Sequence, residues 1–255
     1  MSLDQQIDRL IKPLAEGLSD IFFYQISVLG QGFPLIVLWL VTAAVFFTGY
    51  LGFINIRGFS KAISLVSGTS GKANGSGEIS HFQALSTAIS GTVGVGNIGG
   101  VAVAISIGGP GAAFWLFVAG FLGMSTKFVE CTLGVKYRCE NLDGSVSGGP
   151  MYYLERYLLD RGFPKLGKLL GGFYALALVI GCFGIGNMFQ SNQAYVQVLS
   201  ISGGENSFFA DKGWLFGLLL ATAVAAVIIG GIRSIGNVAS KIVPFMAILY
   251  VRKAL

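Results

Sequence analysis

Long stretches without a charged side chain constrain this chain more than any other feature of its sequence. Asp, Glu, Lys and Arg are absent from four segments, which are residues 21–56, 79–126, 169–204 and 213–232. A helix needs only about 20 apolar residues to cross a bilayer. Charged residues make up 11% of the chain and hydrophobic residues 53%, whereas roughly a quarter of the residues are charged in soluble domains. The sequence therefore predicts an all-α, polytopic membrane protein.

The apolar segments predict five complete spans and the start of a sixth. We place the five at about residues 33–54, 79–107, 112–135, 169–198 and 214–232. The sixth span is predicted to begin at residue 242, and it meets Arg252 before it is long enough to cross. The sequence GGPG at residues 108–111 predicts a tight turn between spans two and three. Residues 150–160 begin with proline and predict a helix that lies in the membrane interface.

Lys and Arg are concentrated in alternate loops. They follow span one (Arg57, Lys61, Lys72), span three (Lys136, Arg138, Arg156, Arg161, Lys165, Lys168) and span five (Arg233, Lys241). Cytoplasmic loops carry an excess of these residues. The three loops are therefore predicted to lie on the cytoplasmic side of the cell (inner) membrane, and the N-terminus on the opposite, outer side. This placement accounts for the net charge of +5 without a nucleic-acid partner, and none is predicted. The three cysteines show no ligand spacing or pairing pattern and are predicted to be free thiols: Cys131, Cys139 and Cys182.

The glycine-rich stretch SGTVGVGNIGG, residues 90–100, is compatible with several local structures, and the surrounding residues help to decide between them. Gly94, Gly96 and Gly99 match the dinucleotide-binding pattern G-x-G-x-x-G, but that site needs an acidic residue about 20 positions later, and residues 79–129 contain none. The segment TVGVG is similar to the TVGYG filter of potassium channels. A re-entrant pore loop would, however, reverse the loop charge bias described above. Two interpretations remain, which are an interrupted membrane helix and a continuous helix whose small residues allow close packing.

An interrupted helix would give this stretch a chemical role. Ser80 and Gln83 form an S-x-x-Q pattern that predicts a capping box at the start of the first half-helix. Each glycine weakens a helix by about 1 kcal/mol relative to alanine, so the cluster favours an interruption there. Backbone groups freed inside a membrane need other partners. Carbonyl oxygens can coordinate a cation, and the N–H groups that open a second half-helix can bind a carboxylate.

Six motifs together resemble a known family of transporters. In chain order they are ISHFQAL, GTVGVGNIGGVA, GGPGAAFW, KYR, SGGPMYYLE and FGIGNMFQSNQ. Over about residues 34–250 the chain resembles the alanine or glycine:cation symporter family, the sodium:alanine symporters. The resemblance implies a leucine-transporter-type fold, in which an extra first helix precedes two inverted five-helix repeats. Residues 1–56 would then hold an N-terminal segment and the extra helix. Residues 57–255 would hold the first repeat, with its broken helix at about residues 79–107.

The resemblance also implies binding sites at the interruption. One sodium ion would take the Thr92 carbonyl and the Asn97 side chain, and a second would take carbonyls near Ser90 and Val93. The carboxylate of an amino acid would meet the N–H groups of Val95 and Gly96, and its ammonium group the carbonyls near Thr92. These residues make up the first part of the predicted substrate and sodium sites.

A second polar segment, FGIGNMFQSN, lies inside span four. Asn187 and Gln190 would form one wall of the substrate pocket, with Phe183 as an apolar lid or floor. The alternative is that these side chains make hydrogen bonds between helices and only hold the bundle together. The sequence leaves both possibilities open.

The chain departs from the family pattern because a second inverted repeat is absent from its 255 residues. Alternating access requires one repeat to move against the other. We therefore expect the amino-terminal half of a sodium-coupled importer of alanine or glycine, inactive alone and completed by the missing repeat or another copy of the chain. A non-transporting truncated membrane polypeptide or partner subunit is the alternative, and a cation channel is a distant third. No enzymatic activity is predicted.

Overall fold

Helices make up most of the structure, a computed structural model that describes residues 3–28, 30–68, 78–210 and 212–254. The first half contains α1 (Leu3–Phe22), β1 (Gln25–Val28), β2 (Gln31–Pro34), α2 (Leu35–Tyr50), α3 (Ile54–Arg57), α4 (Phe59–Val66), α5 (His81–Thr92), a π-helical turn (Gly96–Gly100) and α6 (Val101–Lys136). The second half contains β3 (Cys139–Glu140), β4 (Val146–Ser147), α7 (Pro150–Asp160), α8 (Pro164–Gly181), a π-helical segment (Cys182–Met188), α9 (Phe189–Ile201), a 3₁₀ turn (Gly204–Asn206), α10 (Gly213–Ile228) and α11 (Gly231–Ala254).

Among the described residues, three helical stretches are long and apolar enough to cross a membrane: Gly96–Lys136, Pro164–Ile201 and Gly231–Arg252. Two shorter apolar helices, α2 and α10, have 16 residues each. Large apolar side chains on these elements are exposed, among them Trp39 at 68% and Phe117 at 77%. Apolar faces turned outward suit lipid rather than water. The predicted polytopic, all-α membrane class is confirmed.

The predicted spans before the end of the chain fall on helices of the structure, with boundaries that differ by up to five residues, as for α2 (Leu35–Tyr50) and the start of α8 at Pro164. The turn predicted at residues 108–111 is present, since Gly109 has φ 64° and interrupts α6 just before Pro110. The predicted helix over residues 150–160 is α7, with Pro150 in its first turn. The three cysteines are free thiols, as predicted.

The prediction for the sixth span was wrong. Helix α10, the predicted fifth span, ends at Ile228, and α11 starts at Gly231, whose φ of 66° permits the sharp turn. Arg233 and Lys241, which we assigned to a loop, therefore lie inside a helix of 24 residues. The charges misled the sequence analysis because a helix can carry them on one face while its other residues remain apolar.

Two compact units divide the described chain. The first comprises Met1–Phe59 with Phe114–Val129, and the second comprises Ser60–Ala113 with Glu130–Leu255. The division of the sequence at residue 56 into an extra helix and a repeat stays a prediction.

A chain of buried hydrogen bonds joins α2, α3 and α6 within the first unit. The single hydroxyl hydrogen of Thr48 is shared between the Ala44 carbonyl at 2.7 Å and Ser125 Oγ at 3.0 Å. Ser125 Oγ donates to Asn55 Oδ1 at 2.8 Å. Asn55 Nδ2 in turn donates to the Phe121 carbonyl at 2.8 Å. Ser125 is fully buried and Thr48 is 2% exposed. Polar side chains bonded in this way hold helices together where water is excluded.

Small residues set the packing of α7 on α8 within the second unit. A Cβ atom at Gly167 would lie 2.8 Å from the Glu155 carbonyl oxygen, and one at Gly171 would lie 2.9 Å from that of Met151. Only glycine allows the two backbones to approach so closely. Because Gly167 and Gly171 are four residues apart, they form one strip along α8 that faces α7.

Candidate functional site

The capping box predicted at Ser80 and Gln83 is present and begins α5. Ser80 Oγ accepts a hydrogen bond from the Gln83 N–H at 3.2 Å, and Gln83 Oε1 accepts one from the Ser80 N–H at 3.0 Å. The remaining polar atom of Gln83, Nε2, donates to Asn237 Oδ1 on α11 at 2.8 Å. One side chain therefore both starts α5 and fixes it to α11.

Further contacts hold the start of α5 in place. Gly236 on α11 lies so close to Gln83 and Ile79 that an added Cβ would be 3.4 Å from a side-chain carbon of each. Glu78 accepts a hydrogen bond from the Val146 N–H at 3.2 Å and lies 3.8 Å from the Arg233 guanidinium. The contacts with Gly236 and Arg233 on α11 and with Val146 on β4 fix where α5 begins, and α5 leads to the glycine-rich stretch.

The helix is interrupted at Val93 and Gly94, as the first interpretation of the glycine-rich stretch predicts. Val93 is extended, with φ −85° and ψ 107°, and the chain returns to helical angles at Val95. The π-helical turn follows immediately and continues into α6. Helices flank the glycines on both sides, so the strand required before a dinucleotide-binding loop is replaced here by α5. The continuous-helix interpretation is excluded at this position.

Two backbone N–H groups at the interruption bind side-chain oxygens. In a regular helix the Gly94 and Val95 N–H groups would donate to the carbonyls of Ser90 and Gly91. Instead the Gly94 N–H donates to Asn97 Oδ1 at 3.2 Å, and the Val95 N–H donates to Gln190 Oε1 at 3.1 Å. The last carbonyls of α5 thereby lose their helical donors.

The Gln190 contact joins the interruption to the second polar segment. Gln190 lies in the first turn of α9, directly after the π-helical segment Cys182–Met188. π-helical insertions are frequent at functional sites. Gly94 makes the contact possible, because a Cβ atom there would lie 2.8 Å from Gln190 Nε2. Each of the two long helical stretches thus has its irregular segment next to this contact.

The hydroxyl groups of the predicted sodium ligands bond within their own helix. Thr92 Oγ1 donates to the Ala88 carbonyl at 2.7 Å, and Ser90 Oγ donates to the Thr87 carbonyl at 2.8 Å. A hydroxyl that donates its hydrogen keeps oxygen lone pairs for another partner.

Not every predicted site residue reaches the interruption. Gln190 does, and Ser90, Thr92, Val93, Val95, Gly96 and Asn97 form it. Among the described contacts, neither a hydrogen bond from Asn187 nor a ring contact from Phe183 reaches it, and Phe183 is 67% exposed. Two contributors were not predicted from the sequence: Gly94 as the point of close approach and Asn237 as an anchor of α5. The glycine motif contained a signal for Gly94, whereas Asn237 fell in a segment assigned to a loop.

Comparison with known proteins decides the family. The model of the family described as "Sodium:alanine symporter family" matches residues 18–255. The chain belongs to the sodium:alanine symporter family. It is 44% identical over 218 residues to the sodium/alanine symporter AgcS of Methanococcus maripaludis, which covers 86% of this chain and 46% of that protein. The family is one of transporters rather than enzymes.

Two further relatives come from Bacillus subtilis. The putative sodium/proton-dependent alanine carrier protein YrbD is 42% identical over 181 residues, which are 71% of this chain and 34% of that carrier. The probable sodium/glutamine symporter GlnT is 33% identical over 218 residues, 85% of this chain and 42% of that symporter. The chain therefore spans less than half the length of these relatives. No solved structure gives a significant match.

Proposed function

We propose that this chain binds sodium and a small neutral amino acid, alanine or glycine, at the interruption after α5. In this proposal it acts as the amino-terminal portion of a sodium-coupled importer in the cell membrane. The supporting observation is that the Gly94 and Val95 N–H groups donate to side-chain oxygens instead of to their own helix. Backbone donors released inside an apolar helix and turned to oxygen acceptors can bind a carboxylate.

The carboxylate of the amino acid would bind the N–H groups of Val95 and Gly96. The Val95 N–H already donates to a planar, carbonyl-type oxygen like those of a carboxylate, namely the amide Oε1 of Gln190 at 3.1 Å. An amide side chain has both a donor and an acceptor, so Gln190 can rotate and offer Nε2 to the carboxylate that takes its place. The ammonium group would meet the carbonyls near Thr92. Asn187 and Phe183 would complete the pocket wall.

Sodium would bind the oxygens at the end of α5. Ser90 and Thr92 lie in the last turn of α5 and Val93 is its cap, where backbone carbonyls lack helical donors. Asn97 Oδ1 accepts one hydrogen bond from Gly94, and a carbonyl oxygen has a second lone pair for a cation. Interrupted helices with exposed carbonyls are the usual sodium sites of secondary transporters.

The surrounding architecture in this proposal is the first inverted repeat preceded by an extra helix, with the N-terminus outside. A second repeat, or another copy of the chain, would supply the remaining ligands and the movement. Alanine is favoured over glutamine because similarity to AgcS, named a sodium/alanine symporter, exceeds that to GlnT, 44% against 33%. Inward movement of one sodium ion through 100 mV releases about 2.3 kcal/mol, which can drive uptake of the amino acid.

The test is binding and uptake of labelled alanine by the chain in liposomes. Binding should require sodium and disappear when choline replaces it, and Asn97→Ala should abolish it. Asn206→Ala, an exposed asparagine in the 3₁₀ turn, is the matched control and should bind as the unaltered chain does. Sodium-dependent binding without uptake would support the site in a chain that needs a partner. Alanine binding that is unaffected by Asn97→Ala would refute the assigned site. Ion conduction without amino acid would favour the channel.

A further inference from the structure

Helix α1 has an apolar face, and the residues of that face whose side chains the structure describes are exposed. Leucine, isoleucine and phenylalanine recur at intervals of three or four residues: Leu3, Ile7, Leu10, Ile11, Leu14, Leu18, Ile21 and Phe22. At 3.6 residues per turn these positions fall on one side of a helix. At the end of α1, Leu18 is 47% exposed and Ile21 is 70% exposed. Residues 3–17 also precede the part of the chain that matches the family.

The composition of α1 excludes a membrane span. Its 20 residues include six charged side chains: Asp4, Asp8, Arg9, Lys12, Glu16 and Asp20. A charged side chain costs about 2.5–3.5 kcal/mol at the centre of a spanning helix. Five of the six positions fall on the side opposite the apolar face, and only Asp4 lies beside it. Such a helix is suited to lie along a surface between apolar and aqueous phases.

The hairpin after α1 places its end beside the start of the apolar helix α2. β1 and β2 pair antiparallel, with Gln25 opposite Pro34. One residue further out, the Leu35 N–H donates to the Tyr24 carbonyl at 2.8 Å. Leu35 is the first residue of α2, so the chain leaves α1 at the level where α2 begins. If α2 spans the membrane, that level is the lipid–water boundary.

Aromatic residues mark the same position. Phe22, Phe23 and Tyr24 are consecutive, and their exposed fractions are 57%, 58% and 62%. Tyrosine is enriched at the interface of a bilayer, and phenylalanine is common on the apolar face of interfacial helices. The charges of α1 sum to −2, from four carboxylates and two cations, so anionic headgroups would repel it and zwitterionic lipid is favoured.

We infer that α1 is an interfacial helix whose apolar face binds zwitterionic lipid at the membrane surface where α2 begins. It lies parallel to the membrane, with its carboxylates in water and Leu18 and Ile21 among the lipid chains. This inference depends on the membrane location of the family and on the hairpin geometry, and it is independent of the proposed transport.

The test is the depth of spin labels on α1 in the full chain. In a chain with Cys131, Cys139 and Cys182 changed to serine, Leu18→Cys and Glu16→Cys place one nitroxide on each side of α1. The chain is reconstituted in phosphatidylcholine vesicles, and collision rates are measured with oxygen, which concentrates in lipid, and with a water-soluble nickel chelate. The ratio of the two rates should be several-fold higher at position 18 than at position 16.

A second pair of variants separates lipid contact from misfolding. Adding Ile21→Asp to the Leu18→Cys chain should lower the ratio, because a carboxylate on the apolar face disfavours lipid. Adding Ser19→Asp, on the polar side, should leave it unchanged. Equal ratios at positions 16 and 18 would overturn the inference. Protection of position 18 from both reagents would also overturn it, since protein, a second copy or another chain, would then cover the face.

Discussion

The contact between Gly94 and Gln190 yields the sharpest test of the candidate site. A methyl group at position 94 would lie 2.8 Å from Gln190 Nε2, whereas ordinary contacts start at 3.4 Å. In Gly94→Ala the amide must therefore move by about 0.6 Å to restore contact distance. The bond from the Val95 N–H to Gln190 Oε1 is 3.1 Å, and a lengthening of about 0.5 Å ends it.

Loss of this hydrogen bond should be visible at the Val95 amide. One intramolecular hydrogen bond contributes about 1 kcal/mol net, which corresponds to about a five-fold change in the local opening equilibrium. Hydrogen exchange of the Val95 amide, measured with single-residue resolution in nanodiscs, should accelerate by about that factor in Gly94→Ala. Sodium-dependent alanine binding should weaken in the same variant, because the pocket wall has moved.

Gly100→Ala is the matched control for this experiment. Gly100 belongs to the same glycine cluster, and nothing lies within 4 Å of a Cβ atom built there. It should gain helix propensity without moving Gln190, so exchange at Val95 should stay as in the unaltered chain. Equal exchange rates in Gly94→Ala and Gly100→Ala would refute the argument, since Gln190 would then not be held against Val95 by the space at Gly94.

Three further predictions concern the structure around the site. Ser125→Ala removes the centre of the buried hydrogen-bond chain and should lower the free energy of unfolding by about 1–3 kcal/mol, measured by denaturant titration in detergent. Gln83→Glu keeps the capping acceptor but loses the donor to Asn237, so a double-mutant cycle with Asn237→Ala should give a coupling energy of at least about 0.5 kcal/mol. Hydrogen bonds from the Ser145 hydroxyl and N–H lower the pKa of Asp143 below its ordinary value of 3.8. The stabilisation of the β3–β4 turn by these hydrogen bonds is therefore complete above pH 3.8 and is lost as the pH falls through the lowered pKa. Ser145→Ala should raise the pKa of Asp143 in a carboxyl NMR titration.

Each of these predictions has a control and a contrary outcome. Ser106→Ala removes a hydroxyl that bonds only within its own helix on the exposed surface, and it should leave stability unchanged. A Ser125→Ala chain as stable as Ser106→Ala would show that the buried bonds contribute nothing. Additive effects of the changes at positions 83 and 237 would contradict the assigned contact. An Asp143 pKa that is the same with and without the Ser145 hydroxyl would show that another group lowers it.

Local signals in the sequence predict the start and the interruption of α5. The capping box depends on two residues three positions apart, so Ser80 and Gln83 suffice to predict it. The interruption follows from five glycines in eleven residues, since each lowers the stability of a helix in the same place. The sequence alone therefore predicts which residues form the interruption.

Contacts between distant elements could not be predicted in this way. Gln190 meets Val95 across 95 positions of sequence, and that pairing depends on how two helices are rotated against each other. The start of α11 differs from the prediction because Arg233 and Lys241 interrupt the apolar pattern, which predicts a loop there. In the structure the polar residue Asn237 of that helix faces Gln83, which gives one side of α11 a partner other than lipid. Polarity along a sequence therefore did not distinguish a loop from a helix with one polar side.

The buried chain of hydrogen bonds has a consequence for which substitutions the chain can tolerate. Its direction is fixed, because the single hydrogen on Ser125 is given to Asn55 Oδ1 and Asn55 must then give its own hydrogens to the Phe121 carbonyl. Aspartate at position 55 would have no hydrogen for that carbonyl, and leucine would have no oxygen for Ser125. Ser125 is fully buried, so a larger side chain at position 125 would press against the surrounding protein. Variation at these positions is therefore restricted by the order of donors and acceptors, independently of any substrate.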